Sequence, residues 1–274
     1  MRINQNTSAF NAYRNLTTTN IDLNRSLERL SSGEKINRAA DDAAGLVRSE
    51  GLRSAISGTK QATINAQDAV SFLQTTEGAL GEVHALLQRM RTLAIDAAST
   101  ASTDGVAQQV ELDALREEIT AIEQRTTFSG VPVFGDLTVD PLVFHIGIGS
   151  SPGDELSINR DLRLDPAVLA GGGLATIDLS VDPDAAISII DGVIDEVSSM
   201  RSDLGAATGR LEHIIDNLLV AQENLTASDS RIRDTDMALE MVSLTSSQVL
   251  SQAGTAMLAQ ANVMPQTVAS LLSQ

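Results

Sequence analysis

Cysteine and tryptophan are absent from the 274-residue chain, and aromatic residues make up only 2% of it. Without a thiol there is no disulfide, no thiolate nucleophile and no zinc–thiolate site. Without bulky rings the core has to be aliphatic: 42% of the residues are hydrophobic, and a chain of this length buries a sizeable core. Positive charge is also scarce. Lysine and arginine number 19 against 36 aspartates and glutamates, a formal net charge of −17. That balance repels nucleic-acid phosphates and anionic lipid headgroups, so neither is expected as a partner. No apolar run approaches the roughly 18 residues of a membrane span. The opening MRINQNTSAF lacks the apolar centre of a cleaved secretory peptide. Export, where it occurs, is expected to use a route without signal cleavage.

What is present is unevenly placed. Residues 61–230 carry 27 acidic and eight basic side chains, whereas residues 1–60 carry six and nine, and residues 231–274 three and two. After Glu240 nothing ionisable follows through Gln274; leucine, valine, alanine and methionine mix with serine and glutamine. Polar residues interrupt every apolar run in this stretch, which argues against a membrane. Identical acidic bodies pack together only where the touching surfaces are uncharged, because like charges in contact cost energy that salt screens in part. The neutral end is therefore read as an interface in preference to a plain core helix.

Periodicity gives the architecture. Alternating steps of four and three from Ala62 meet Ala66, Ala69, Leu73, Thr76, Leu80, Val83, Leu87, Met90, Ala94 and Ala97. This 3.5-residue repeat is a coiled-coil seam, and over residues 62–97 it spans about 54 Å. Gly78 and Gly81 inside it are expected at points of close helix approach. A second seam runs Ile187, Ile190, Ile194, Val197, Arg201, Leu204, Thr208, Leu211, Ile215, Leu218, Gln222 and Leu225, and antiparallel pairing of the two buries both. Leu112, Leu115, Ile119 and Ile122 supply a third helix. At the N-terminus Ala9, Tyr13, Leu16, Asn20, Leu23, Leu27 and Leu30 repeat the pattern before Gly33, with Asn20 placed to set register. At the other end Leu250, Met257, Met264 and Leu271 recur every seven residues, flanked by Val249, Ala256 and Val263. Pro265 in that helix is expected to kink it. Between the helices VPVFGD, DPLVFHIGIGSSPGDELSI and GGGLATIDLSV read as strands, a small β region from about 131 to 181. The fold class is mainly α: a long antiparallel helical bundle or coiled coil from both termini, with that small β region.

Sites for chemistry are not assembled. GIGSSPG lacks the lysine of a phosphate loop and reads as a turn. His84, His145 and His213 have no metal-ligand spacing, and the adjacent Asp41 and Asp42 point to different sides and read as helix caps or surface charge. The Asn-x-Ser/Thr matches at Asn6, Asn15, Asn24 and Asn224 fall in expected helices and are discounted as glycan sites. No nucleophile, base and oxyanion donors come together, so neither an enzyme nor a cofactor is expected.

NAYRNLTTTNIDLNRSLERLSSGEKINRAADDAAGLVRSEGLRS and SRIRDTDMALEMVSLTSSQVLSQAGTAMLAQANVMPQTVASLLSQ resemble the N- and C-terminal signatures of bacterial flagellins. The resemblance continues through QTTEGALGEVHALLQRMRTLAIDAAS, FSGVPVF and RSDLGAATGRLEHIIDNL, nearly the whole chain. It departs in the middle, where longer flagellins carry outward domains. The resemblance implies a short subunit of the flagellar filament, self-polymerising for motility and extracellular, exported through the flagellar type III channel. Implied partners are copies of itself, an export chaperone, the filament cap and the hook-filament junction proteins. Residues 1–42 and 232–274 are implied to form an inner-tube coiled coil, and 43–231 outer-tube rods with the β region. Leu16, Leu23, Leu27, Leu30, Leu250, Met257, Met264 and Leu271 then pack between subunits. Flagellins also present an LQRxRxLA segment to the vertebrate Toll-like flagellin receptor; Leu87, Gln88, Arg89 and Leu93 match it, with Glu111 as acidic partner and Thr92 where many members have glutamate. The alternatives are a hook-filament junction protein and a soluble helical tether or secretion chaperone. Ordering about 80 terminal residues costs on the order of 1.5 kcal/mol each, more than one helix pair offsets, so the ends are expected to be disordered in the monomer and to order on assembly.

Overall fold

The alanine-to-leucine seam of the second helix fixes most of the core. The computed structural model describes residues 6–99, 105–135, 141–158 and 161–272; the side chains of residues 170 and 265–272 lie outside that description. The helices are α1 (Thr7–Ser32), α2 (Ala43–Ala98), α3 (Val106–Arg125), α4 (Pro183–Arg233) and α5 (Met237–Leu272). Two compact units result, residues 57–222 and residues 1–56 with 223–274.

In the central unit every seam position from Ala62 to Ala94 is at most 2% exposed. Thr76, the one polar member, donates its hydroxyl to the Phe72 carbonyl (2.8 Å), which satisfies it inside the helix. Arg91 donates to Asp191 (2.6 Å) and Arg201 pairs with Glu77 (3.7 Å), which sets α2 and α4 antiparallel. Arg89 with Glu111 (2.7 Å) and Gln108 with Asp96 (2.8 Å) do the same for α2 and α3. Exposed pairs of this kind contribute about 1 kcal/mol or less each, so they orient helices that the aliphatic seam holds together. Leu112 and Ile119 of α3 are fully buried in that seam.

Two expectations are corrected here. On α4 the line Ile190, Val197, Leu204 and Leu211 is buried as expected, but its alternate partners are Ala186, Val193 and Met200 instead of Ile187, Ile194 and Arg201. The helix is apolar around more than one stripe, and contact with other elements of the unit rotates the buried face by one residue. Gly78 and Gly81 are not points of close approach: a Cβ on either would meet nothing within 4 Å. Gly78→Ala is accordingly expected to stabilise the monomer by about 1 kcal/mol, through helix propensity and a less flexible unfolded chain. Thermal unfolding followed by circular dichroism checks this.

The β region is smaller than expected. Among the described residues it consists of two antiparallel ladders, β1 (Thr127–Phe128) with β2 (Val131–Pro132) and β3 (Leu142–His145) with β4 (Glu155–Ile158). GGGLATIDLSV is not a strand. Residues Leu169–Thr176 form a 3-10 helix, because Gly171 and Gly172 take the left-handed conformation (φ 63° and 85°) and break extended pairing. Leu169, Leu174, Ile177 and Leu179 nevertheless anchor this segment in the core. GIGSSPG is a turn closed around Asp154. A Cβ at Gly147 would fall 1.9 Å from its carboxylate, so only glycine fits. Phe72 of α2 meets the rings of Phe128 and Phe144, each at 5.8 Å, joining both ladders to the bundle.

In the terminal unit Asn6 caps α1 by accepting from the Ala9 N–H (3.1 Å), and Gly33 ends it at φ 74°. Asp42 accepts from Gly45 N–H (2.9 Å) at the start of α2, and Asp41 from Arg38 N–H (3.1 Å) in the preceding turn. Asp42 is therefore a helix cap, while Asp41 closes the turn before α2 and pairs with Arg25 (3.5 Å). Glu34 and Asp234 form an isolated bridge, and Arg233, its side chain 11% exposed, pairs with Glu34 (2.5 Å) and Glu50 (3.3 Å). Its guanidinium is held more firmly protonated by the hydrogen bond to Glu34. Helix α5 continues through position 265.

Candidate functional site

Helices α1 and α5 run antiparallel and leave most of their large apolar side chains unburied. Asn6 Nδ2 donates to the Ala261 carbonyl (2.8 Å), Ser251 Oγ to Asn20 Oδ1 (3.1 Å) and Ser26 Oγ to Ser243 Oγ (3.4 Å), while Arg29 pairs with Glu240 (3.7 Å). Asn20 thus bridges the two helices, although it is exposed. Leu16, Leu23 and Leu30 lie half-buried on the contact line. The residues below a tenth exposed are mostly small: Ser26, Ser247 and Ala261, with Leu244. At Gly254 a Cβ would lie 3.2 Å from Leu16 Cδ1, so the backbones approach there as glycine allows.

The sequence pattern had assigned Tyr13 and Leu27 to this seam, but they are 61% and 46% exposed. Ala12 and Thr19 are half-buried instead. Small residues let the two helices approach closely beside Leu16, Leu23, Leu30 and Leu244, and Tyr13 and Leu27 turn outward. The signal that reveals this contact is a second heptad line of small residues, Ala12, Thr19 and Ser26 against Ser247, Gly254 and Ala261.

The outward face is apolar. Leu250, Met257 and Met264 are 56%, 64% and 56% exposed, beside Val242 and Val249 on α5, and Phe10 is 72% exposed on α1. The Leu271 side chain lies outside the described residues. A shallow groove lined by Met241, Val242, Val249 and Leu250, with the hydroxyl residues Thr245 and Ser246, runs along the face. The hydroxyls of Thr17, Thr18 and Thr19 donate to carbonyls four residues earlier, so the TTT run of α1 adds little hydrogen-bonding demand. Single exposed apolar residues are ordinary, whereas a continuous stripe marks an interaction surface.

The receptor-type segment is divided by the fold. Leu87 is fully buried and Leu93 is 6% exposed, both in the bundle core. Gln88 and Arg89 are exposed and Glu111 is half-buried, paired with Arg89. Burial pushes the Glu123 carboxyl above its ordinary value, with Asp165 and Asp161 adding to the shift. The hydrogen bond from Arg163 holds Asp161 below its ordinary value. Among the described residues no group of three or more His, Cys, Asp or Glu could hold a metal ion, and no helix is long and apolar enough to cross a membrane.

The fold and this surface define a class: a helical structural protein whose chain ends pair with each other and carry an exposed, uncharged apolar face. Comparison with known proteins makes it particular. Residues 3–138 match the model of the bacterial flagellin N-terminal helical region and residues 187–272 that of the C-terminal helical region. The chain is 43% identical to a flagellin of Bacillus subtilis over 99% of its length and 100% of the relative's. It is 45% identical, with the same coverage, to a flagellin of Halalkalibacterium halodurans. A solved structure from Vibrio parahaemolyticus, described as a flagellar hook-associated protein, superposes with a TM-score of 0.58 over 71% of this chain and 100% of that one; at 15% identity the likeness is one of fold alone. The chain belongs to the bacterial flagellin family. It is a structural subunit of the flagellar filament.

Proposed function

We propose that the exposed face of α1 and α5 is the surface by which copies of this chain polymerise, with Leu16, Leu23, Leu27, Leu30, Leu250, Met257, Met264 and Leu271 packing within and between subunits. One observation carries this reading: the apolar stripe of α5 coincides with a stretch that has no ionisable side chain after Glu240. In a chain of net charge −17 that neutral surface is where a second copy approaches without repulsion. Each large aliphatic withdrawn from water there contributes about 1.5–3 kcal/mol, which one helix pair alone does not supply.

In this reading residues 1–42 and 232–274 form the inner tube and residues 43–231 the outer tube, where the acidic side chains face water. The terminal helices pair only marginally in a free subunit and gain their full order on assembly. The subunit is extracellular, exported without signal cleavage, and meets an export chaperone, the filament cap and the hook-filament junction proteins. Recognition by the vertebrate Toll-like flagellin receptor, with Leu87 and Leu93 buried, would fall to Gln88, Arg89 and Glu111.

Removing residues 241–274 tests the polymerisation surface. The truncated chain is expected to stay monomeric when seeded, as seen by sedimentation and electron microscopy. Its circular dichroism should retain the signal of the central bundle, whose seam lies wholly within residues 57–222. Filaments of normal length from the truncated chain would overturn the reading.

A further inference from the structure

Four of the seven methionines lie on α5. All four are exposed: Met237 48%, Met241 51%, Met257 64% and Met264 56%. The two buried in the central bundle, Met90 and Met200, are at 0% and 2%. Met257 and Met264 continue the heptad line of Leu250 on the apolar face assigned above to subunit contact, and Met241 borders the groove beside it. Methionine is soft and unbranched, and suits a surface that must fit a neighbour, but its sulfur is also the side-chain atom on this cysteine-free chain most readily oxidised without a catalyst.

We propose that these methionines, Met257 and Met264 foremost, form an oxidation-sensitive site that admits reduced subunits to the filament and rejects oxidised ones; the inference rests on the polymerisation reading above. The oxidant is a hydroperoxide, with hydrogen peroxide the simplest. A sulfur lone pair attacks one peroxide oxygen, the S–O bond forms as the O–O bond breaks, and the departing hydroxide takes the proton of the new sulfur-bound OH, leaving methionine sulfoxide and one water. The sulfur is oxidised by two electrons and the peroxide is reduced by two. The resulting sulfoxide is a strong hydrogen-bond acceptor on a pyramidal sulfur. The sulfoxide is strongly hydrated in the monomer, and moving it from water into a contact flanked by Val249, Leu250 and Val263 costs that hydration, of which the neighbouring Gln260 amide returns only part. Burial in the filament, in turn, shields the sulfur from peroxide, so protection and assembly reinforce each other.

Monomer and preformed filament are treated with hydrogen peroxide and their methionine peptides compared by mass spectrometry, and the treated monomer is then seeded. Met257 and Met264 are expected to gain oxygen in the monomer and to be protected in the filament, while Met90 and Met200 resist in both. The critical concentration of oxidised monomer should rise about tenfold or more. The Met257→Leu/Met264→Leu variant, a volume-conserving change, is read against its own untreated sample: whatever the substitutions do to assembly, its critical concentration should be the same with and without peroxide. Oxidised parent that polymerises at an unchanged critical concentration overturns the proposal, as does a leucine variant that is equally sensitive. Untreated parent that fails to elongate seeds overturns the polymerisation reading itself, and with it this inference. The two failures are told apart because they occur in different samples.

Discussion

Leu250→Asp is expected to raise the critical concentration for filament growth about a hundredfold while leaving the monomer intact. Leu250 is 56% exposed in the lone chain, so an aspartate there remains solvated and costs the folded subunit little. The same carboxylate pressed against a second copy loses its water, and α5 offers it no cation, since no basic side chain follows Arg233. Burial of an unpaired charge costs several kcal/mol, and about 2.8 kcal/mol corresponds to a hundredfold change. Every subunit carries the substitution, so the penalty recurs at every addition. Sedimentation of seeded protein over a concentration series measures the effect, and a melting curve of dilute monomer provides the control. Equal critical concentrations for parent and variant would place the intersubunit surface elsewhere.

Leu80→Ala is expected to do the reverse, weakening the monomer most. Leu80 is fully buried in the middle of the α2 seam, among Leu73, Val83, Leu87 and the α4 line. Truncation removes the transfer energy of the lost atoms and leaves a cavity that long packed helices collapse poorly around, for a loss of about 3 kcal/mol. In a unit of this size that lowers the melting temperature by roughly 10 °C. Leu250→Ala should cost the monomer less than about 1 kcal/mol, because the side chain is mostly in water before assembly. The contrast separates two kinds of leucine that composition treats as one, and thermal unfolding of both variants checks it.

The α2 seam was legible in the amino-acid order because that helix buries one narrow stripe, and a narrow stripe leaves an unbroken 3.5-residue repeat. On α4 half of the stripe was legible. Ile187, Ile189, Ile194, Val193 and Met200 offer more than one apolar line, and periodicity cannot choose between lines a single residue apart when different neighbours cover them. The terminal helices misled in a more informative way. Apolarity assigned Tyr13 and Leu27 to the α1–α5 contact, whereas Ser26, Ser247 and Ala261 occupy it. A rule that equates large apolar residues with the nearest interior fails where small residues let two helix backbones approach closely. The glycine-rich segment before α4 failed for a local reason, since β-branched spacing cannot register two backbones in the left-handed region.

The order of residues alone settled the helical class, the aliphatic core, the central antiparallel seam, the uncharged C-terminal stretch and the family. These depend on period, composition and long motifs, which are properties of the chain read along its length. The folded molecule decided which of two adjacent lines faces inward on α1 and α4, that Gly78 and Gly81 meet no neighbour, and that Leu87 and Leu93 are sealed inside while Arg89 is not. It also decided that the α5 methionines face water. Those are matters of rotation about a helix axis, where one residue is about 100°, and only the packing of other elements fixes that angle.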